Sequence, residues 1–267
     1  AFLCADYARI GKCKDAHPVM GYQKIALQRL TRQRKHTAEL LGKEKQYLSS
    51  NLFLRYSALK VNPDDNPFSN TFGKTSSVML TDFLTNEEIV QANLNDLVAK
   101  IAETSKNRID DPTTTAKLLQ KVARDSYRLD KVASDSLSVA MASSFRLIQS
   151  YQEELKTLDN EILRLIDGFD NHYYQILTSI KGIGPVYAAG IIAEIDNINF
   201  FKNDDKLAAY CGLRWKRKDS GMRSSQHTKQ PNSCNSYLRY YIVEATASII
   251  RYNDDYASFY YRKRGEV

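Results

Sequence analysis

The chain has no apolar run of membrane-spanning length, which excludes a helical transmembrane protein. Nothing in it points to secretion: Ala1-Phe2-Leu3-Cys4 is followed at once by Asp6 and Arg9, without the charged-then-apolar order of a signal peptide. Cysteine is scarce, with four in 267 residues, and Cys4, Cys13, Cys211 and Cys234 have no close paired spacing. Neither a disulfide framework nor a zinc site is expected, and a reducing, cytoplasmic setting follows. His17, His36, His172 and His227 are scattered, and the acids do not gather as a two-metal centre requires, so no metal site and no cofactor are expected in this chain. Asp6, Asp15 and the Asp64-Asp65 pair read as helix-end and turn residues. Internal repeats and low-complexity tracts are absent. The chain has no initiator methionine and opens inside what reads as a helix, so it is expected to be a fragment with an upstream portion missing.

What the chain does have is an uneven excess of positive charge, +7 overall with a pI near 9.1. Lys24, Arg29, Arg32, Arg34 and Lys35 form one basic block, Arg214-Trp215-Lys216-Arg217-Lys218 a second, and Arg262-Lys263-Arg264 a third. The stretch Ile176 to Ile195 has apolar helical spacing interrupted once, by Gly182-Ile183-Gly184, and then resumed. That is a helix-hairpin-helix signature. Two glycines permit a turn too tight for a Cβ and leave backbone N–H groups uncovered where the next helix starts, a geometry suited to a phosphate oxygen. Pro185 fits the first turn of that second helix. The competing reading is an ordinary corner between two helices. Three basic blocks beside the turn make a nucleic acid the leading partner, with Lys181, Gly182 and Gly184 as candidate contacts and Arg29 and Arg32 from the first block.

The fold class expected is mostly α. From Tyr22 to Leu59, positions Leu27, Leu30, Arg34, Ala38, Leu41, Lys45, Leu48, Leu52, Tyr56 and Leu59 alternate steps of three and four, with Arg34 and Lys45 weakening the seam. A second seam runs through Leu137, Met141, Ser144, Ile148, Tyr151, Leu155, Leu158, Ile162 and Leu165 and stops at Asp167-Gly168. Two such helices suggest a long antiparallel coiled-coil arm over 21–168, with a compact bundle as the alternative. Asn62 to Pro67 ends the first helix, and residues 60–130 read as a small helical insert without functional signal. Within it, Thr85-Asn86-Glu87-Glu88 is a capping box placed before a helix at Ile89, and Asp111-Pro112 opens another. The C-terminal domain, 169–267, holds the hairpin and a helix from Asp205 to Cys211 closed by Gly212. An exposed basic loop or short β excursion over 214–234 and a helix from Tyr237 to Arg251 follow. Tyr256, Phe259, Tyr260 and Tyr261 beside the third basic block are expected to pack against helices, with base stacking as the alternative.

The basic excursion contains Asp219-Ser220-Gly221. A serine hydroxyl on a glycine-flanked turn could attack a phosphodiester, with Lys216, Arg217, Lys218, Arg223 and Lys229 stabilising charge that grows on the phosphoryl oxygens. Taken alone, Asp-Ser-Gly is also ordinary turn composition. Spacing fixes no triad for His227 and Asp219.

Several separate blocks then fall in one order. They are Leu-Thr-Ser-Ile-Lys-Gly-Ile-Gly-Pro-Val-Tyr-Ala-Ala-Gly-Ile-Ile-Ala-Glu-Ile from Leu177, Phe200-Phe201, Leu207 to Leu213, Ser220-Gly221, and Asn235-Ser236-Tyr237-Leu238-Arg239. This series resembles the C-terminal domain of the DEDD transposases, the insertion-sequence group 110/116/902 related to the Piv DNA invertase. Ala26 to Arg32 and the paired long helices resemble that family's middle region, so the resemblance covers nearly the whole chain. It implies an N-terminal RuvC-like domain with four acids binding a divalent metal such as magnesium, of which residues 1–20 are a remnant. The last of those acids would immediately precede Ala1, so all four lie outside this chain. The resemblance further implies Ser220 as the nucleophile of a phosphoserine intermediate, and it leaves a structured guide RNA open as a second partner. The function expected is a transposase or site-specific recombinase that exchanges DNA strands, with a homo-oligomer formed through the arm. The fragment alone is expected to be inactive. The alternative is a non-catalytic module that binds DNA backbone without regard to sequence.

Overall fold

In the computed structural model, the described residues are Asp6, Arg9, 21–61, 66–82, 85–167, 172–195, 197–214, 219–220, 223–224 and 234–265. They are mostly helical. Helix α1 spans Tyr22–Arg55, α2 Ala58–Val61, α3 Lys74–Thr81, α4 Asn86–Gln91, α5 Leu94–Ser105, α6 Pro112–Asp125 and α7 Lys131–Ile166. Then come α8 His172–Ser179, α9 Pro185–Glu194, a short 3₁₀ turn Ile198–Phe200, α10 Asp204–Tyr210, a two-stranded hairpin of β1 Asp219–Ser220 and β2 Arg223–Ser224, α11 Ser236–Tyr252 and α12 Asp254–Gly265. The chain divides into two compact units, one made of residues 1–35 with 158–267 and the other of residues 36–157. No helix among the described residues is long and apolar enough to cross a membrane.

The unit of residues 36–157 is built around one apolar cluster. Leu48 and Leu52 of α1, with Tyr56 just beyond its end, meet Met141, Phe145 and Ile148 of α7, and the insert adds Phe68, Met79, Leu80, Ile89, Leu97, Ile101 and Leu119. Where one uninterrupted helix to Leu59 is expected, α1 stops at Arg55. The Arg55 carbonyl accepts a bond from Asn86 Nδ2 at 2.9 Å instead of continuing the ladder. The Leu59 N–H turns to the Tyr56 carbonyl, at 3.0 Å. A partner outside the helix thus ends it one turn early. The capping signals act as their chemistry requires: Thr85 Oγ1 accepts from the Glu88 N–H at 3.2 Å, which starts α4 at Asn86 rather than Ile89. Asp111 Oδ1 accepts from the Thr114 N–H at 2.9 Å, which starts α6 with Pro112 in its first turn.

In the other unit, Leu27 of α1 and Ile162 and Ile166 of α7 share a small buried cluster with Ala189 and Ala193 of α9. Arg34, which breaks the apolar seam in sequence, has a partner in Asp159 on α7, reached by Nε and Nη2. Its charge is therefore compensated within the half-buried interface. A second cluster, Ile183, Ala188, Ile191, Cys211, Leu238, Tyr241 and Ala245, binds α9, α10 and α11 together.

Three buried acids make this fold sensitive to alkali. Burial pushes the Tyr56 phenol up to about 12 and the Cys211 thiol up to about 11, and it raises Tyr241 as well. Tyr241 also donates its hydroxyl hydrogen to the Thr31 carbonyl at 2.6 Å, a bond that a phenolate cannot make. Each folded value lies above the unfolded one, so the folded state holds these protons longer. The associated stability is full below about pH 9 and is lost as pH rises through the folded values. Urea midpoints are expected to fall steadily from about pH 9 upward, and to fall less for Tyr241→Phe. A flat profile to pH 11.5 would remove these groups from the account.

Candidate nucleic-acid interface

Helices α8 and α9 are joined by Ile180 to Gly184, as the interrupted periodicity predicts. Gly182 has φ +109°, and a Cβ there would stand 2.6 Å from Ile249 Cα and 2.9 Å from Ile249 N of α11. It is required for a left-handed turn and for a close approach between backbones. Gly184 is different. Its φ is −75°, a Cβ would meet nothing within 4 Å, and it occupies the N-cap of α9 with no side chain capping the first turn. The paired-glycine reading is corrected to that extent: one glycine makes the turn, and the other leaves the helix start open. Ile183 is buried beneath the turn, and Lys181 stands exposed on it. The start of α9 therefore combines uncapped N–H groups, a positive helix end and a nearby cation, which together favour an anion.

On α1, Arg29 is exposed. Arg32 is engaged in the protein itself. Its Nε and Nη2 donate to both carboxylate oxygens of Glu194, at 2.7 and 2.9 Å, and its guanidinium lies 4.5 Å from the centre of the Tyr237 ring. The bond to Glu194 raises the guanidinium above its ordinary value, outweighing the opposing effect of burial. The Glu194 side chain is wholly buried, while Arg32 keeps about a third of its side chain, 32%, in solvent. Asn235 Nδ2 adds a third close donor to Glu194 at 2.8 Å, and Gln28 Nε2 a longer one at 3.4 Å. Four donors thus converge on one carboxylate at the end of α9, as a buried negative charge requires.

Asn235 ties this network to the basic excursion. Its Oδ1 caps α11 by accepting from the Tyr237 and Leu238 N–H groups, at 3.1 and 3.0 Å. Its own backbone N–H donates to the Tyr210 carbonyl at 2.8 Å, where the excursion begins. Arg32, Tyr210, Cys234, Asn235, Ser236 and Tyr237 line an open cleft of about 460 Å³ at this place. Glu194, Tyr237 and Asn235 were not among the residues the sequence pointed to as candidates. Only the Asn-x-x start of α11 carried a local signal, that of an N-cap.

Within the excursion, β1 and β2 pair antiparallel, with Ser220 opposite Arg223 and Asp219 opposite Ser224. The expected nucleophile and one expected phosphate contact are therefore cross-strand neighbours about 5 Å apart between Cα atoms. Lys216, Arg217, Lys218 and Lys229 lie outside the described residues. Among the described residues, no three His, Cys, Asp or Glu side chains come together as a metal site.

The chain matches the model of the Transposase IS116/IS110/IS902 family over residues 174–262. It is similar to the Insertion element IS116 uncharacterized 44.8 kDa protein of Streptomyces clavuligerus, 23% identical over 199 residues that make up 74% of this chain and 48% of that protein. The chain thus spans about half the length of that curated relative. No solved structure matches it.

Proposed function

We propose that the chain is the DNA-handling part of an insertion-sequence transposase in which Ser220 is the nucleophile. The observation that carries this reading is the pairing of Ser220 with Arg223 inside the family-matched segment. The Ser220 hydroxyl oxygen attacks a DNA phosphorus, a serine–phosphate bond forms, and the sugar oxygen leaves with a proton. Arg223, with Lys216, Arg217, Lys218 and Lys229, offsets the charge gathering on the phosphoryl oxygens. Lys181 and the α9 start beside Gly182 and Gly184 hold neighbouring backbone, helped by Arg29. Arg32 serves through its grip on Glu194 and presents its remaining N–H groups to the cleft. The helix-hairpin-helix is an anchor in this reading, and α1 with α7 forms an antiparallel coiled-coil arm that joins two copies. A metal-binding acidic domain outside this chain completes the site.

The test is covalent trapping. The complete insertion-element protein, incubated with element-end DNA and denatured, is expected to retain a protein–DNA adduct that Ser220→Ala abolishes. An adduct that survives that substitution would sink the serine role. The open, uncapped start of α9 beside exposed Lys181 also favours a simpler reading, a non-catalytic module that grips backbone alone. It predicts no adduct at all, with affinity that falls steeply with salt and ignores sequence.

A further inference from the structure

Helix α12 is the one element of its unit whose composition and exposure do not match a packing role. Its sequence, Asp-Asp-Tyr-Ala-Ser-Phe-Tyr-Tyr-Arg-Lys-Arg-Gly, contains four aromatic rings and no aliphatic side chain larger than alanine. None of its residues is buried: Tyr256 is 51% exposed, Phe259 53%, Tyr260 41% and Tyr261 61%. Tyr256, Phe259 and Tyr260 are spaced i, i+3, i+4 and so share one face, and Lys263 continues that face by one turn. The stripe carries rings alone, with no leucine, isoleucine, valine or methionine beside them. Aromatic faces interleaved with cations are the chemistry of single-stranded nucleic acid, whose unpaired bases stack on rings while the phosphates meet basic side chains.

Charge along the helix is polarised. Asp254 and Asp255 occupy its first turn and Arg262, Lys263 and Arg264 its last, so a polyanion is repelled from one end and attracted to the other. The Arg262 guanidinium lies 5.5 Å from the centre of the Phe259 ring, which places a cation and a stacking face side by side. Tyr260 and Tyr261 meet edge to face at 5.4 Å, which leaves ring faces open for other partners. Four residues of helix rise about 6 Å, comparable with one to two nucleotide steps, so Tyr256 and Tyr260 can serve neighbouring bases of one strand. Packing against helices, the expectation from sequence, does not account for a face this open.

We infer that the aromatic face of α12 forms a stacking platform for single-stranded DNA, such as a strand end released by cleavage. This inference rests on the DNA-processing reading above, and its test separates the two. The full chain is titrated with a short single-stranded oligodeoxynucleotide carrying 2-aminopurine, with the matching duplex, and with an RNA of the same sequence. Tyr256→Ala, Phe259→Ala and Tyr260→Ala are each expected to weaken single-strand binding about tenfold and to relieve 2-aminopurine quenching, with duplex affinity changed by less than about twofold. Tyr256→Phe and Tyr260→Phe, which keep the rings, are expected to bind like the parent. Because these side chains are exposed, far-UV circular dichroism should be unchanged in every variant. Unaltered single-strand affinity in the triple alanine variant overturns the platform. So does a shift in sedimentation without a change in DNA binding, which would assign the face to a second copy, and so does ring dependence seen only with RNA. Duplex binding that survives Lys181→Ala counts against the proposed function and leaves the platform standing.

Discussion

Gly182→Ala is expected to destabilise its unit by about 2–6 kcal/mol. Two costs add at this residue. A side chain at φ +109° is strained by about 1–3 kcal/mol, and the new methyl would stand 2.6 Å from Ile249 Cα, a backbone atom inside a helix that cannot swing aside. Overpacking of that kind costs about 1–3 kcal/mol more. Against a total stability of about 5–15 kcal/mol, much of the folded population is lost. Gly184→Ala is the matched control, since its φ is −75° and a Cβ meets nothing within 4 Å. Its expected cost is that of a poorer N-cap, about 1 kcal/mol or less. Urea denaturation of both variants decides the matter, and equal costs would mean that the turn is not built as described.

Glu194→Ala is expected to cost about 3 kcal/mol, at the lower end for a broken buried pair, because Arg32 is 32% exposed and is rehydrated when its partner goes. Asn235 is affected as well. Without the carboxylate its amide loses a bond of 2.8 Å, and the α11 cap is held less firmly. Amide hydrogen exchange should therefore accelerate at Tyr237 and Leu238, whose N–H groups bond Asn235 Oδ1. Glu194→Gln keeps the shape but sets an amide among four donors, so it is expected to cost about 2 kcal/mol and not to rescue. A cycle with Arg32→Ala should return a coupling of about 1–3 kcal/mol. Strict additivity would show that the two residues stabilise the unit independently.

These two glycine and glutamate sites show where sequence reading stops. The interrupted apolar spacing is enough to locate α8 and α9, because helix and turn are encoded within a few residues. That Gly182 rather than Gly184 is obligatory depends on Ile249, which no local pattern could announce. Glu194 sits in an apolar run, Ile191 to Ile195, with no local partner to mark it. Its partner Arg32 is 162 positions away, so the ion pair exists only once the fold does. Arg34 teaches the same lesson in reverse, since a residue that weakens a seam on paper meets Asp159 across it. Caps were legible at Thr85 and Asp111, where donor and acceptor lie three residues apart. The early end of α1 was not, because Asn86 competes for the Arg55 carbonyl from 31 positions downstream. For the candidate site, Ser220 emerged from block order and not from local chemistry, and its strand partner Arg223 was already suspected from charge.

The bond from the Asn235 N–H to the Tyr210 carbonyl brings together the two points at which the chain leaves and rejoins the helical body. Everything between them, Ser220 included, is a closed detour whose ends are fixed by residues outside it. Doubling the length of such a detour costs only about 0.6 kcal/mol in closure entropy, whereas moving either anchor would disturb Glu194 and the α11 cap. The segment between the anchors can therefore be lengthened, shortened or rewritten as a cassette while the helices that carry it stay as they are.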